Sequence, residues 1–283
     1  MSVAEKPYTD WIGNTEAIED TISPSPARLL QMTLDDTGTT IGNGDPLPPI
    51  WHWCYFLEAA PQSTLGPDGH PPRGGFMPPV ALPRRMFAGG RSKFIAPLRI
   101  GAPARQTAEI KSVVEKEGRS GQLCFVTVTY TTEQDGTTCI EEGRDYVYRE
   151  EGAPVSAPEP VELPPVPEGS WSRTITPDPV MLFRYSALTF NGHRIHYDQS
   201  YVTQVEHYPG LIVHGPLIAT SLLELVRRNQ DRPVVGFSFQ ARSPIFDLAP
   251  FRVVAVPGEG DDVDLKAEGP DGTLSMQATA TLG

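Results

Sequence analysis

The chain has 283 residues, 39% hydrophobic and 20% charged, which is enough length for two domains of middling size and enough apolar content for a real core. Its formal net charge of −12 excludes the cation-rich surface with which nucleic-acid binders meet phosphates, though a few local arginines suffice to hold one small anion. With 30 prolines and 26 glycines, long bundles and coiled coils are excluded, and short elements with many turns are expected.

The opening MSVAEKPYTDWIGN has no apolar core of a secretory signal, and no run reaches the ~18 apolar residues of a membrane span. The nearest approach, 211–225, is interrupted by His214, Gly215, Pro216 and Glu224. Cys54, Cys124 and Cys139 form no CxxC pair, so reduced, packed thiols in a cytoplasmic protein are expected. A nucleophilic role for Cys54 would need a His/Asn pattern that the sequence does not offer.

In chain order, GGFMPPVALPRRMF (74–87) is a candidate helix, shortened or broken by three prolines. SKFIAPLRIG (92–101) reads as a strand, and AEIKSVVEKEG (108–118) with GQLCFVTVTYTTEQDG (121–136) as an antiparallel hairpin, with another strand in RDYVYRE (144–150). EGAPVSAPEPVELPPVPEGS (151–170) carries six prolines and no aromatic residue. Such a segment favours extended backbone and builds no core, so it is read as a linker between domains 1–150 and 171–283. In the second half, GPLIATSLLELVRR (215–228) places apolar residues on one helical face. Strands follow at 234–246, 251–260, 262–272 and 273–282. The two halves thus repeat a pattern of elements without repeating residues, and an α+β protein of two sheets is expected, each wrapped on a helix that is degenerate in the first half.

Four of the six histidines, His193, His196, His207 and His214, crowd into TFNGHRIHYD (189–198) and HYPGLIVHGPL (207–217). A polar loop running straight into a helix at Gly215 suits chemistry, because the first free amides of a helix stabilise an oxygen that gains negative charge. Read as metal ligands, His193, His196 and Asp198 form only a loose H-x-x-H-x-D pattern, so no metal is expected. Alone, His193 or His207 reads as a turn cap. Neither a dinucleotide fingerprint nor a phosphate-binding loop is present. Arg84, Arg85, Arg91 and Lys93 form a basic run that serves either as a solvated edge or as a contact for phosphates or a carboxylate.

TFNGHRIHYD followed by YPGLIVHGPLIA resembles the signature of the MaoC-like enoyl-CoA hydratases. The first half carries strings similar to the two-domain hydroxyacyl-thioester dehydratase type 2 family, which includes mesaconyl-C4-CoA hydratases: PLPPIWHWCYF (46–56), LGPDGHPPRGGFMPP (65–79), LPRRMFAGGR (82–91), EKEGRSGQL (115–123) and FVTVTY (125–130). The resemblance covers nearly the whole chain apart from the linker. It implies a double hotdog fold and reversible addition of water to a 2,3-unsaturated acyl-CoA, mesaconyl-C4-CoA giving (S)-citramalyl-CoA being the most specific expectation.

The resemblance places the catalytic His on His196, the oxyanion-hole glycine on Gly215, and the family's catalytic Asp on Asn191, a departure, since an amide cannot accept the water's proton. Asp198 is then the nearest acid. Arg194, Arg184, Tyr197, Asp198, His214, Arg84 and Arg85 are the expected substrate contacts, with Arg184 or Arg194 candidates to meet a free acyl carboxylate. No cofactor, nucleic acid or membrane is implied, and a homodimer is expected. The alternatives are itaconyl-CoA or a general hydroxyacyl thioester as substrate, a hotdog thioesterase using Glu224, and a non-catalytic acyl-thioester binder.

Overall fold

The computed structural model describes residues 7–38, 40–118, 121–152 and 155–283. The turn expected at 119–120, the first six residues and positions 153–154 of the linker lie outside the described residues.

In the first half, β1 (Thr15–Thr21) leads into α1 (Pro24–Thr33), and β2 (Arg84–Phe94), β3 (Pro103–Gly118), β4 (Gly121–Gln134) and β5 (Thr137–Arg149) follow. The second half runs β6 (Trp171–Ile175), α2 (Pro179–Leu188), α3 (Gln199–Gln204), α4 (Gly215–Arg227), β7 (Val234–Ala241), β8 (Phe251–Pro257), β9 (Asp262–Glu268) and β10 (Leu274–Leu282). All ten strands form one antiparallel sheet in the order β1-β3-β4-β5-β2-β7-β10-β9-β8-β6. Each half contributes five strands in the same relative order, and the halves meet where β2 pairs with β7, Gly89 opposite Gln240 and Lys93 opposite Gly236. The two sheets expected from the sequence are therefore fused edge to edge.

Alternating burial shows why these segments are strands. In β4 the buried Cys124, Val126 and Val128 point to one face. In β3 the register shift after Ile110 moves burial from even positions to Val113, so one bulge keeps a long strand facing the core. α4 is the central helix: all ten residues from Leu217 to Val226 are buried, packed against β6, β8, β9 and β10.

The first half departs from the expectation at its helix. No helix forms at 74–87; Pro78, Pro79 and Pro83 remove its donors, and residues 76–82 run as a loop whose Phe76, Met77, Val80 and Leu82 cover the sheet beside Val126 and Tyr148. From Arg84 the chain is already β2, so the strand expected at 92–101 begins eight residues earlier and ends at Phe94. Its helix is α1, which starts with Pro24 in its first turn and packs on α2 of the other half instead of on its own sheet. With no central helix over β2 and β5, space remains there, and the second half's α4 points its N-terminus toward it. Residues 155–170 form neither helix nor strand and close with a turn in which Ser170 N–H donates to Pro167 O at 3.1 Å, and Val161 N–H donates to Pro270 O at 2.9 Å.

Candidate active site

The space left by the missing helix is a cavity of about 850 Å³ lined by both halves. From the second half it receives Asn191, His193, His196, His214 and Gly215, and from the first Asp68, His70, Arg84, Arg85 and Arg144.

His196 is 7% exposed and sits in a single 3-10 turn between α2 and α3. Its Nδ1 lies 2.7 Å from Ile212 O, an atom that can only accept, so Nδ1 carries the proton and Nε2 keeps a lone pair. Burial lowers its pKa to about 4, and the bond to Ile212 recovers only part of the shift, so the ring is neutral at neutral pH. His214 stacks on it, ring centroids 3.7 Å apart and 17° from parallel. Burial and the neighbouring His196 push His214 well below the ordinary range as well, and its Nε2 pairs with Ser186 Oγ at 2.8 Å. His214 immediately precedes Gly215, which opens α4; the Gly215 N–H therefore has no intrahelical acceptor. A Cβ on Gly215 would meet only Phe87, at 3.8 Å, so a ligand can approach this backbone closely.

Asn191 lines the cavity, and its Oδ1 accepts from His193 N–H at 3.0 Å, an Asx turn that shapes the loop. Tyr197 also lines the cavity and donates to Gly192 O at 2.9 Å. Arg85 lines it with no carboxylate partner among the described residues. Arg84 is committed elsewhere: it donates to Tyr208 Oη at 2.9 Å and Glu206 O at 3.0 Å, stapling β2 to the second half.

Three expected contacts are corrected. Arg184 is exposed on α2 and does not line the cavity. Arg194 turns from it to bind Asp198 at 2.7 Å and Pro67 O at 2.9 Å, over the Tyr201 ring. Asp198 caps α3 through Tyr201 N–H, and this bond together with Arg194 lowers its pKa; it is a structural acid. In the basic run, Arg91 pairs with Asp145 on the surface. The loose metal pattern is not assembled either. Instead Asp68, His70 and His193 hold donor atoms within 4.8 Å of one another. Asp68 is already spent on His70, accepting from its backbone N–H at 3.0 Å and pairing with its Nδ1 at 2.9 Å. Burial pushes the His193 pKa down to about 2, with His70 and His196 adding to the effect.

The loop bearing Asp68 and His70 was not assigned from sequence, although Asp-Gly-His is a turn signature within 65–79. It docks on the loop bearing His193 and His196 through Arg194 N–H to Asp68 O at 2.9 Å, and Gly69 sits so close to the Gly192 carbonyl that no side chain fits. The rings of His70 and His193 are 4.1 Å apart, and those of His193 and His196 5.5 Å. Arg144 was missed too, although the spacing of Glu142 and Arg144 in a strand puts both on one face. Cys54 is a packed thiol: burial raises its pKa to about 12. Among the described residues, no helix is long and apolar enough to cross a membrane.

A model of the hydroxyacyl-thioester dehydratase type 2 family matches residues 50–247. The chain belongs to this family. It is 56% identical to a mesaconyl-C(4)-CoA hydratase of Chloroflexus aurantiacus over 283 residues, the whole of both chains. A MaoC-like dehydratase of Phytophthora capsici superimposes with a TM-score of 0.68 at 12% identity, covering 98% of this chain and 97% of that one. A Mycobacterium tuberculosis protein described as a double hotdog fold superimposes at 0.57 and 13%, covering 98% of each chain. At such identities the structural matches establish the fold alone, and it is the double hotdog.

Proposed function

We propose that this member of the family hydrates mesaconyl-C4-CoA reversibly to (S)-citramalyl-CoA in the cytoplasm. The observation that carries the reading is the neutral, buried His196, its Nε2 free, beside the opening turn of α4 in a cavity made by both halves. The 56% identity to a mesaconyl-C(4)-CoA hydratase supports the choice of acyl chain.

Water adding across a double bond conjugated to a thioester needs a base, a stabiliser for the enolate oxygen and a proton for the α-carbon. His196 Nε2 takes a proton from water as its oxygen bonds to the β-carbon, and returns that proton to the α-carbon as the enolate collapses. A positioned base contributes ~10²–10⁴ in rate. Gly215 N–H faces the thioester oxygen, an interaction worth roughly 3–4 kcal/mol in the transition state. Asn191 orients the water as a hydrogen-bond partner, His214 supports the His196 ring by stacking, and Tyr197 fixes the loop through Gly192. Arg85, which has no carboxylate partner among the described residues, meets a CoA phosphate. No step calls on a metal or a redox cofactor.

Glu224, the acid a thioesterase would use, lies far down α4, bound by Arg227 at 2.7 Å and Trp51 at 3.1 Å, outside the cavity. That placement favours the hydratase. Incubation with mesaconyl-C4-CoA, following enoyl absorbance and free thiol together, tests the reading. Loss of enoyl signal without thiol is expected; thiol release or no reaction overturns it. A homodimer is the expected assembly, with the open edges β1 and β6 the surfaces for a second copy, and sedimentation equilibrium measures it.

A further inference from the structure

We infer that Arg144 is the anchor for a free carboxylate on the acyl chain, and that this first-half residue makes the cavity selective for dicarboxylic acyl thioesters. The inference rests on the hydratase reading, and concerns how the same cavity chooses its substrate.

β5 carries Glu142, Arg144 and Tyr146 on one face, an unusual set for a strand turned toward the interior. Glu142 is 4% exposed and has three partners: His52 Nε2 at 2.9 Å, Trp53 Nε1 at 2.7 Å and Arg144 Nη2 at 2.9 Å. Burial works against its charge, but Arg144 and His52 outweigh burial and hold its pKa at about 2. Glu142 is thus a buried anion that fixes Arg144 in place and keeps it charged. Arg144 in turn needs little more from the protein. Its guanidinium lies 4.2 Å from the Tyr130 ring centroid and 5.7 Å from that of Trp53, and its Nε is buried without an acceptor. A buried ion pair contributes little to stability beyond an apolar replacement, and an orphaned buried donor costs free energy. This cluster nevertheless lines the cavity, and the Arg144 side chain keeps 19% of its surface open, where a carboxylate can meet the guanidinium.

Its position suits the far end of the acyl group. Phe87 lies against the opening of α4 and touches the rings of Trp53 and Tyr146, at 6.1 and 5.7 Å, which stand beside Arg144. The wall between the thioester end and Arg144 is therefore aromatic, with Phe87 standing between the opening of α4 and the rings that flank Arg144. Arg184 and Arg194, the two arginines that the sequence offered for this carboxylate, are outside the cavity. In mesaconyl-C4-CoA the free carboxylate sits on the carbon that receives the hydroxyl, so anchoring it also holds the electrophilic carbon before His196.

The test separates binding from chemistry by using two saturated, unreactive thioesters that differ by carboxylate against methyl. One is the methylsuccinyl-CoA with its free carboxylate on the methyl-bearing carbon; the other is isovaleryl-CoA. Titration calorimetry on the full chain should show the first binding at least ~30-fold more tightly, and Arg144→Gln should reduce that preference to about threefold or less. Since Arg144→Gln strands Glu142, the double variant Glu142→Gln/Arg144→Gln provides a neutral version that keeps the shape, and it should lose the same preference. Hydration of mesaconyl-C4-CoA against 3-methylcrotonyl-CoA should shift in parallel. Equal wild-type affinity for the two saturated thioesters overturns the inference even if hydration is observed, as does a preference that survives in the double variant. An Arg144-dependent preference without hydration leaves the inference standing and removes the hydratase reading.

Discussion

At the scale of single residues, the site turns on one imidazole kept neutral by burial. His196 titrates at about 4 in the folded chain and near 6.5 when unfolded. Between these values the unfolded chain holds a proton that the native chain does not, so stability falls as pH drops through 6.5 and levels off below about 4. The full difference is about 3 kcal/mol. Urea midpoints at pH 7, 5.5 and 4.5 should show wild type losing its advantage over His196→Gln as the solution becomes more acidic. Catalysis follows the same group: His196→Ala should lower kcat by ~10²–10⁴ with little loss of structure, and the acid limb of wild-type kcat should lie well below pH 6. Near-full activity in His196→Ala would make another histidine of the cavity the base. Asn191→Asp keeps an acceptor for His193 N–H, so the loop should hold its shape. Hydration should survive, with a new acidic limb in the pH profile as the carboxylate titrates; complete loss with the loop intact would show that the Asn191 amide must donate.

At the scale of elements, most of the strands and the buried helix were legible, because alternation in β4 and the apolar stripe of α4 are strong local signals. β1 and β6 were not. TEAIEDT carries three acids and WSRTI is only five residues long, the marks of edge strands that local periodicity does not reveal. α1 was hidden by its own prolines at 24 and 26, which suit a first turn as well as they suit a loop. In the site, His196, Asn191 and Gly215 could be found from one motif, whereas Asp68, His70 and Arg144 come from the other half and meet the motif only in three dimensions. The docking of loop 65–70 is testable. Gly69 has φ +89° and faces the Gly192 carbonyl, so Gly69→Ala adds both strain and a clash, at about 1–3 kcal/mol. Arg194→Ala removes the bond to Pro67 O and the partner of Asp198. Both changes should lower kcat at least tenfold while circular dichroism stays native. Unchanged kcat in both would show that the first-half loop plays no part in placing His196.

At the scale of the whole molecule, the two halves share one sheet, the larger of two cores and one cavity, although only the second carries the histidine motif. The seam between β2 and β7 is close: a Cβ at Gly89 would lie 2.6 Å from Phe239 O, and one at Gly90 2.8 Å from the Phe239 ring. On the other side of the molecule, Leu34 O at the end of α1 accepts from Arg173 and Arg228 of the second half at 2.8–3.2 Å. The main core runs without interruption from Ile22, Leu30 and Trp51 to Leu217, Leu222 and Phe251. Residues 171–283 produced alone would therefore present β7 as a bare edge with Phe237 and Phe239 uncovered, and α4 without the side chains that pack its flank. That fragment should pair through β7 or aggregate instead of unfolding as a cooperative monomer. It should also lack hydratase activity, because the wall bearing Arg85 and Arg144 is gone. Co-expression with residues 1–150 should restore a soluble complex and much of kcat, since the seam is formed by hydrogen bonds and packing between separate strands. Size-exclusion chromatography and the enoyl assay check both parts. A folded, monomeric 171–283 with wild-type kcat on mesaconyl-C4-CoA would show that the first half contributes neither the seam nor the cavity wall that the chemistry needs.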